Sequence, residues 1–466
     1  MEVLESLSVG GSLQVGLLTE DAELERELAG GELCWTVNGE VCHCFPGSIE
    51  LAAAGLHFPA SCAAAATASE LSFFYFAVEI TLSGRPWPLV SLPKRVALRQ
   101  SGSWSVRAPG STATITLVLP LSAADLPRAQ ILMASLARVT LSSAVHCLLV
   151  LTPESDREAV EASLSNSSLA FPVLTLGESD ARLLGNTSTS ASIVGRGYAV
   201  QMALKLLAAR LVQTDYYLTL DADVVLLQPT LLSRLHRRGR AVYEDEARFV
   251  HPDWWQSSSW LLGLNTDGSV VSGRGAHYGN GGFSVTPAML STYGALVTVA
   301  RVRTRISSMP QAVVAEPTTS WVGQWIQSLG ATVMFGDAST RVQTQELGAM
   351  GEQSSLSSVP KLLLWSEYTL YRLWLDEGVG LFSSLHVREE DDHIDVEALS
   401  PPSSLATPRL HCFDVWFAHQ LPWPAEQVSR MLKSGDLPCV FSVVQSTSGA
   451  DVGQLWEQLS LLWGGT

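Results

Sequence analysis

The chain is 466 residues long, with 47% hydrophobic and 16% charged residues and a formal net charge of -16. That length allows two or three domains with a large core, and the apolar share excludes a disordered chain. The acidic balance argues against nucleic acid or an anionic membrane as the main partner.

From the start, MEVLESLSVGG is acidic and has no basic segment leading into an apolar core, so it predicts no signal peptide. No uninterrupted apolar run reaches membrane-spanning length, so no integral membrane segment is expected. The localisation is left open: cytoplasmic by default, Golgi or secretory if residues precede this start. The cysteines number seven, and Cys34, Cys42, Cys44 and Cys62 match neither a disulfide framework nor paired zinc spacing. Residues 1–108 read as a small all-β domain. Cys34–Val37 and Val41–Cys44 flank Asn38-Gly39, a hairpin turn signal. Leu71–Leu82 reads as a buried strand, and Arg95–Arg107 as a second hairpin turning at Ser101-Gly102.

The pattern changes at Pro109-Gly110, and residues 109–466 read as one α/β domain. Strands are expected at Ala113–Leu119, Val145–Leu151 and Phe171–Leu176, with helices from Asp125 through Leu136 and over Ser155–Leu164. Strands alternating with helices predict a mostly parallel sheet covered on both faces. The next helix, Tyr198–Val212, is apolar nearly all round, so it packs on that sheet. Its exceptions, Gln201 and Lys205, lie one turn apart on one face. Lys205 either snorkels to solvent or reaches a phosphate.

A short apolar strand, Tyr216–Leu220, then runs into Asp221-Ala222-Asp223, and Val224–Leu227 continues extended until Pro229. Buried carboxylates are costly unless paired or bound to metal. In an extended segment Asp221 and Asp223 project to one side, where they could hold one hard divalent cation. Arg234–Arg240 reads as a solvated helix end. His251–Trp260 (HPDWWQSSSW) is either core or a sugar-stacking wall. Gly273–Phe283 (GRGAHYGNGGF) is a glycine-dense loop, with Gly279, Gly281 and Gly282 allowing close backbone approach to a ligand. It fits neither a dinucleotide fingerprint nor a P-loop. Glu367 opens a helix-like segment, either as a functional carboxylate or as a capping one. Late histidines are His386, His393 and His419. Cys439–Gln445 reads as a last strand and Leu455–Trp463 as a terminal helix.

Residues 113–230, with Asp221-Ala222-Asp223 as a D-x-D motif, resemble a GT-A nucleotide-diphosphosugar glycosyltransferase. More narrowly, Gly197–Leu206, Thr214–Asp221 and the Trp365–Tyr371 segment resemble the DUF6492 family. The resemblance implies a Rossmann-like GT-A fold and transfer of a hexosyl or pentosyl group from a sugar nucleotide to a hydroxyl of a glycan, protein or small molecule. It implies Mn²⁺ or Mg²⁺ on Asp221 and Asp223, completed by a late histidine, of which His386 fits best. Asp221, Lys205, Gln201, Gly279, Gly281 and Gly282 would line the donor, and Asp223 and Glu367 would serve catalysis, Glu367 as base toward the acceptor. Tyr368 stands where many such enzymes have Asp.

Two other readings are open. Asp221-Ala222-Asp223-Val224-Val225-Leu226 also fits a haloacid-dehalogenase-type phosphatase, with Asp221 as nucleophile, Asp223 as acid/base and Asp391 and Asp392 on magnesium. That motif should follow a domain's first strand, whereas about three strand–helix units precede it here. The third reading is a catalytically inactive carbohydrate- or nucleotide-binding relative.

Overall fold

The computed structural model describes side chains for residues 114–138, 144–165, 167–178, 197–227, 235–237, 239–264, 286–309, 320–329, 364–389, 440–444 and 451–460, apart from a residue or two, plus Leu183 and Phe283. For several further strands and one helix end it describes the backbone alone.

The central sheet has five strands in the order Val173–Gly177, Val145–Thr152, Ile115–Pro120, Tyr216–Thr219 and Ala288–Ser291. The first four are parallel and the last is antiparallel to its neighbour. Ile115–Pro120 is buried at every position and Val145–Thr152 at all but one. This explains their nearly unbroken apolar runs: each strand is covered on both faces. Leu117 and Leu119 enter one layer with Leu148, Val150 and the Leu126–Arg138 helix, which contributes Ala129, Leu132, Met133 and Leu136 at helical spacing. Val118 enters the opposite layer with Leu149 and Leu151. There the helices Gly197–Leu207, Pro252–Leu262, Thr292–Ser307, Trp321–Ser328 and Glu367–Leu373 pack together. The architecture is the expected α/β sandwich with a mostly parallel sheet.

One local expectation is corrected. Asp221-Ala222-Asp223 is a turn, closed by Val224 N–H donating to the Asp221 carbonyl at 3.1 Å, so strand alternation does not set the direction of the two carboxylates. The next strand, Val224–Leu226, leaves the central sheet and pairs with Cys439–Val443, which in turn pairs with Arg409–His411. In the Arg234–Arg240 region Leu235 is helical, as the expected helix end requires, and the chain then enters a strand pair. His236–Arg237 pairs antiparallel with Arg240–Tyr243, and Gly239 takes the positive φ of 81° that their connection needs. Arg240–Tyr243 also runs parallel to His386–Arg388.

In the first 108 residues the described strands form two antiparallel sheets. One holds Glu2–Leu7, Leu13–Leu18 and Leu56–His57. The other holds Glu40–Pro46, Glu32–Val37, Phe73–Leu82, Lys94–Leu98 and Trp104–Val106, with Arg85–Trp87 against Phe73–Leu82. Both anticipated hairpins form: Val37 pairs with Glu40 around Asn38-Gly39, and Leu98 pairs with Trp104. No helix among the described residues is long and apolar enough to cross a membrane.

The layer opposite the Leu126–Arg138 helix closes at Gly294, in the first turn of Thr292–Ser307. A Cβ there would stand 2.7 Å from Tyr371 Oη and 2.8 Å from Leu375 Cδ1. Tyr371 cannot retreat easily, because its hydroxyl accepts from Ser291 N–H at 2.8 Å. An added methyl in a helix ordinarily gains up to about 1 kcal/mol in propensity. Here overpacking of about 1–3 kcal/mol outweighs it. Gly294→Ala is therefore expected to lower the urea midpoint of unfolding.

Candidate active site

Asp221 follows the strand Tyr216–Thr219 by two residues, at the carboxyl end of a parallel strand. The chain builds the sheet outward from Ile115–Pro120 to Val145–Thr152 and Val173–Gly177, then returns to the other side of Ile115–Pro120. Asp221 thus lies beside the point where the strand order reverses, where open α/β sheets bind their ligands.

Lys205 reaches this point from the last turn of the Gly197–Leu207 helix, only 4% exposed. Its Nζ stands 2.9 and 3.0 Å from the two oxygens of Asp221, 3.0 Å from Glu367 Oε1 and 2.8 Å from Thr286 Oγ1. An ammonium has three protons, and Asp221, Glu367 and Thr286 account for all of them. Glu367 is buried at the first position of the helix Glu367–Leu373. A capping box fixes that helix start: Thr369 N–H donates to Ser366 Oγ at 3.2 Å, and Ser366 N–H to Thr369 Oγ1 at 3.1 Å. The adjacent Tyr368 hydroxyl lies 2.8 Å from Thr219 Oγ1 and 2.6 Å from Thr286 Oγ1, so Thr286 joins the ammonium to the phenol.

The electrostatics follow from this packing. Burial pulls the Lys205 ammonium down, but Asp221 and Glu367 outweigh it and hold its pKa well above the ordinary lysine value. Burial pushes the Tyr368 phenol far up, which keeps it a neutral hydrogen-bonding group. Only Asp221 opens outward: its side chain is 34% exposed, against 4% for Glu367.

The other anticipated residues divide clearly. Gln201 is half-buried on the helix face that carries Lys205, and Tyr198 lies one turn further out, 59% exposed. Asp223 is half-buried on the turn, its carbonyl accepting from Val444 N–H at 2.8 Å. Gly279, Gly281 and Gly282 lie outside the described residues, as do His393, His419, Asp391 and Asp392. The last residue of the glycine loop, Phe283, is buried between stacked partners, 5.8 Å from both the Tyr368 and Tyr243 rings. Trp255 and Trp260 are core residues, whereas Trp254 is half-buried and stacks on His251 at 4.0 Å.

His386 stands apart from the Lys205 cluster. Its ring stacks on Phe382 at 4.4 Å and meets Tyr243, Phe283 and Tyr371 edge-on. Tyr371 Oη, already accepting from Ser291 N–H, also hydrogen-bonds His386 Nε2 at 2.7 Å. Burial first and Arg372 second push its pKa well below the ordinary histidine value, so it is neutral. Among the described residues no three of His, Cys, Asp and Glu stand together as a metal-holding group. Thr219 and Thr286 went unnoticed in the sequence because a threonine at a strand end or before a proline carries no functional signal.

The model of DUF6492, described as a family of unknown function, matches residues 112–463. No curated protein matches the chain. Among solved structures the chain is similar to mouse xyloside xylosyltransferase 1 in its apo form, at 13% identity and a TM-score of 0.32, covering 72% of this chain and 100% of that one. It is also similar to the galactosyltransferase LgtC in complex with donor and acceptor sugar analogues, at 12% identity and a TM-score of 0.34, covering 74% of this chain and 95% of that one.

Two outcomes test the electrostatics. Lys205→Met leaves the buried Glu367 carboxylate unpaired and is expected to cost about 3–5 kcal/mol in denaturant unfolding. Lys205→Met/Glu367→Gln should recover part of that loss, giving a large coupling energy. His386 is neutral when folded and protonates more readily when unfolded, so stability should fall as pH drops through about 6.5. His386→Phe should flatten that acid limb in urea titrations between pH 7 and 5.

Proposed function

The chain belongs to the DUF6492 family, and we propose that it is a glycosyltransferase that moves a sugar from a nucleotide-diphosphosugar to a hydroxyl acceptor. The observation that carries this reading is the Lys205 clamp. It ties Asp221, at the carboxyl end of a parallel strand beside the strand-order reversal, to the buried carboxylate of Glu367. A donor-side acid and an acceptor-side acid are thereby held on one rigid support.

In this reading Asp221 and Asp223 would hold Mn²⁺ or Mg²⁺, and the donor diphosphate would bind beside them. Two carboxylates suit such an ion, because magnesium is commonly held by one or two carboxylates plus substrate phosphates. The part-exposed side chain of Asp221 keeps lone pairs that the ammonium does not use. When bound, the ion supplies Lewis-acid stabilisation of the departing nucleoside diphosphate. Lys205, with its three protons engaged, positions Asp221 and Glu367 rather than donating to phosphate. Gln201 and the loop carrying Gly279, Gly281 and Gly282 line the donor. The acceptor oxygen bonds to the anomeric carbon as the carbon–oxygen bond to the diphosphate breaks. For inversion Glu367 takes the acceptor's proton; for retention it orients the acceptor. The enclosed, neutral His386 has no part in this scheme.

The phosphatase reading has less support. Its acidic motif belongs after a domain's first strand, and here three strands of the sheet precede the one that leads to Asp221.

The test is nucleotide release from a panel of sugar nucleotides with Mn²⁺. Release from one donor is expected, abolished by chelation and lowered roughly a hundredfold or more in Asp223→Ala, since the lost group stabilises developing charge. Silence with every donor, alongside Mg²⁺-dependent hydrolysis of a generic phosphate ester, would replace the transferase with the phosphatase.

A further inference from the structure

Cys34, Cys42, Cys44 and Cys62 crowd the first 108 residues, and the strand register makes two of them direct cross-strand partners. In the hairpin of Glu32–Val37 and Glu40–Pro46, Cys34 pairs with Cys44, Leu33 with Phe45 and Glu32 with Pro46. Antiparallel partners alternate between pairs that exchange both N–H···O bonds and non-hydrogen-bonded pairs, whose Cα atoms are closer. Pro46 has no N–H to exchange, so Glu32 and Pro46 are a non-hydrogen-bonded pair. Leu33 and Phe45 are then hydrogen-bonded, and Cys34 and Cys44 are again non-hydrogen-bonded. Such pairs hold their Cα atoms about 4.5 Å apart, inside the roughly 4.4–6.8 Å that a disulfide spans.

Cys42 lies on the same strand and has no such partner. The register shifts between Trp35, which pairs with His43, and Thr36, which pairs with Val41, so Cys42 is the extra residue of a bulge. Spacing alone offers either cysteine of Cys42-His43-Cys44 to Cys34; the bulge leaves Cys44. The two faces of the sheet also differ. Leu33 and Trp35 share one face with their partners Ile80 and Val78, whereas Cys34 shares the other with its partner Glu79 and with Thr36. The cysteine pair therefore belongs to the more polar face, and Glu40–Pro46 is an edge strand of its sheet among the described residues.

We propose that Cys34 and Cys44 form a reversible cross-strand disulfide, a redox clasp that fixes the edge strand in register. The bond is independent of the transferase reading and stands if that reading fails. Its oxidant is a small-molecule disulfide of the glutathione type. The thiolate of one cysteine attacks that disulfide and releases one small thiol, leaving a mixed disulfide; the thiolate of the other cysteine displaces the second small thiol and closes the bond. Two protons and two electrons pass from the cysteine pair to the small disulfide, which leaves as two thiols. The closed bond pins a strand whose free edge is otherwise able to slip or to pair elsewhere.

The experiment uses the full chain under native conditions. Reduced protein is treated with glutathione disulfide, remaining thiols are alkylated, and the chain is unfolded and cleaved after glutamate without reductant. Cleavage after Glu32, Glu40 and Glu50 separates Cys34 from Cys42 and Cys44, and all three from Cys62. Mass spectrometry should find peptide 33–40 joined to peptide 41–50, with fragmentation placing the alkyl group on Cys42. The same link should form in Cys42→Ser and be absent in Cys44→Ser. A bond from Cys34 to Cys42 or Cys62, a mixture of pairings, or Cys34 and Cys44 both recovered alkylated would overturn the proposal without recourse to any variant. The clasp itself is read by native-state proteolysis with the same glutamate-specific protease. Reduction by dithiothreitol should speed cleavage after Glu40 about tenfold or more, because the open form of the hairpin loses its cross-link. Equal rates before and after reduction would show that the bond fixes nothing, and the clasp would fall.

Discussion

The site depends on one buried ammonium. Lys205 brings a positive charge into the layer between the sheet and five helices, where an unpaired charge would be driven to lose its proton. It is retained because two carboxylates and a hydroxyl meet it at 2.8–3.0 Å. Each partner arrives from a different part of the chain: Asp221 from the turn after a strand, Thr286 from just before the antiparallel strand, Glu367 from the start of a late helix. The ammonium therefore measures whether these elements are in register. A shift of any one of them by an ångström would break a charged hydrogen bond rather than merely loosen a contact.

The surrounding polar groups serve the same alignment. The Tyr217 hydroxyl donates to the carbonyl of Lys205 at 2.8 Å, linking the strand that leads to Asp221 to the helix that carries the ammonium. Thr219 Oγ1 donates to the Ala288 carbonyl at 3.0 Å and meets the Tyr368 hydroxyl, joining the sheet edge to the Glu367–Leu373 helix. Tyr371, one turn after Glu367, ties that helix to Ser291 and His386. Each of these groups is buried, and all but His386, whose Nδ1 has no hydrogen-bond partner, are satisfied within the network. Such a network favours a single arrangement, because partial satisfaction costs more than an apolar substitute would.

Much of the framework was legible in the sequence for simple physical reasons. Strands covered on both faces must be apolar throughout, so Ile115–Pro120 and Val145–Thr152 stand out at once, with ends within two residues of those expected. The helix of Glu367 was expected as a helix-like segment opened by that residue, and the structure adds the Ser366–Thr369 capping pair that fixes its start. The turn at Asp221–Asp223 was not legible. Valine and leucine on both sides favour extended backbone, and the break occurs because Val224–Leu226 pairs with Cys439–Val443, more than two hundred residues away. The surroundings of His386 were hidden for a related reason: an apolar run in sequence does not show that Phe382, Tyr243 and Tyr371 enclose its ring. Lys205 was visible as an oddity in an apolar helix, but its three partners lie 16, 81 and 162 residues away in sequence.

The charge balance of the cluster favours an electrophilic partner at its open side. Lys205 carries one positive charge against the carboxylates of Asp221 and Glu367, and Asp223 adds a further carboxylate on the same turn. The negative excess is not spread evenly, because Glu367 is sealed in and Asp221 is the acid that opens outward. A divalent ion would therefore be met first by Asp221, while Lys205 keeps Glu367 in place. This separates the surroundings of the two carboxylates, one open and one buried.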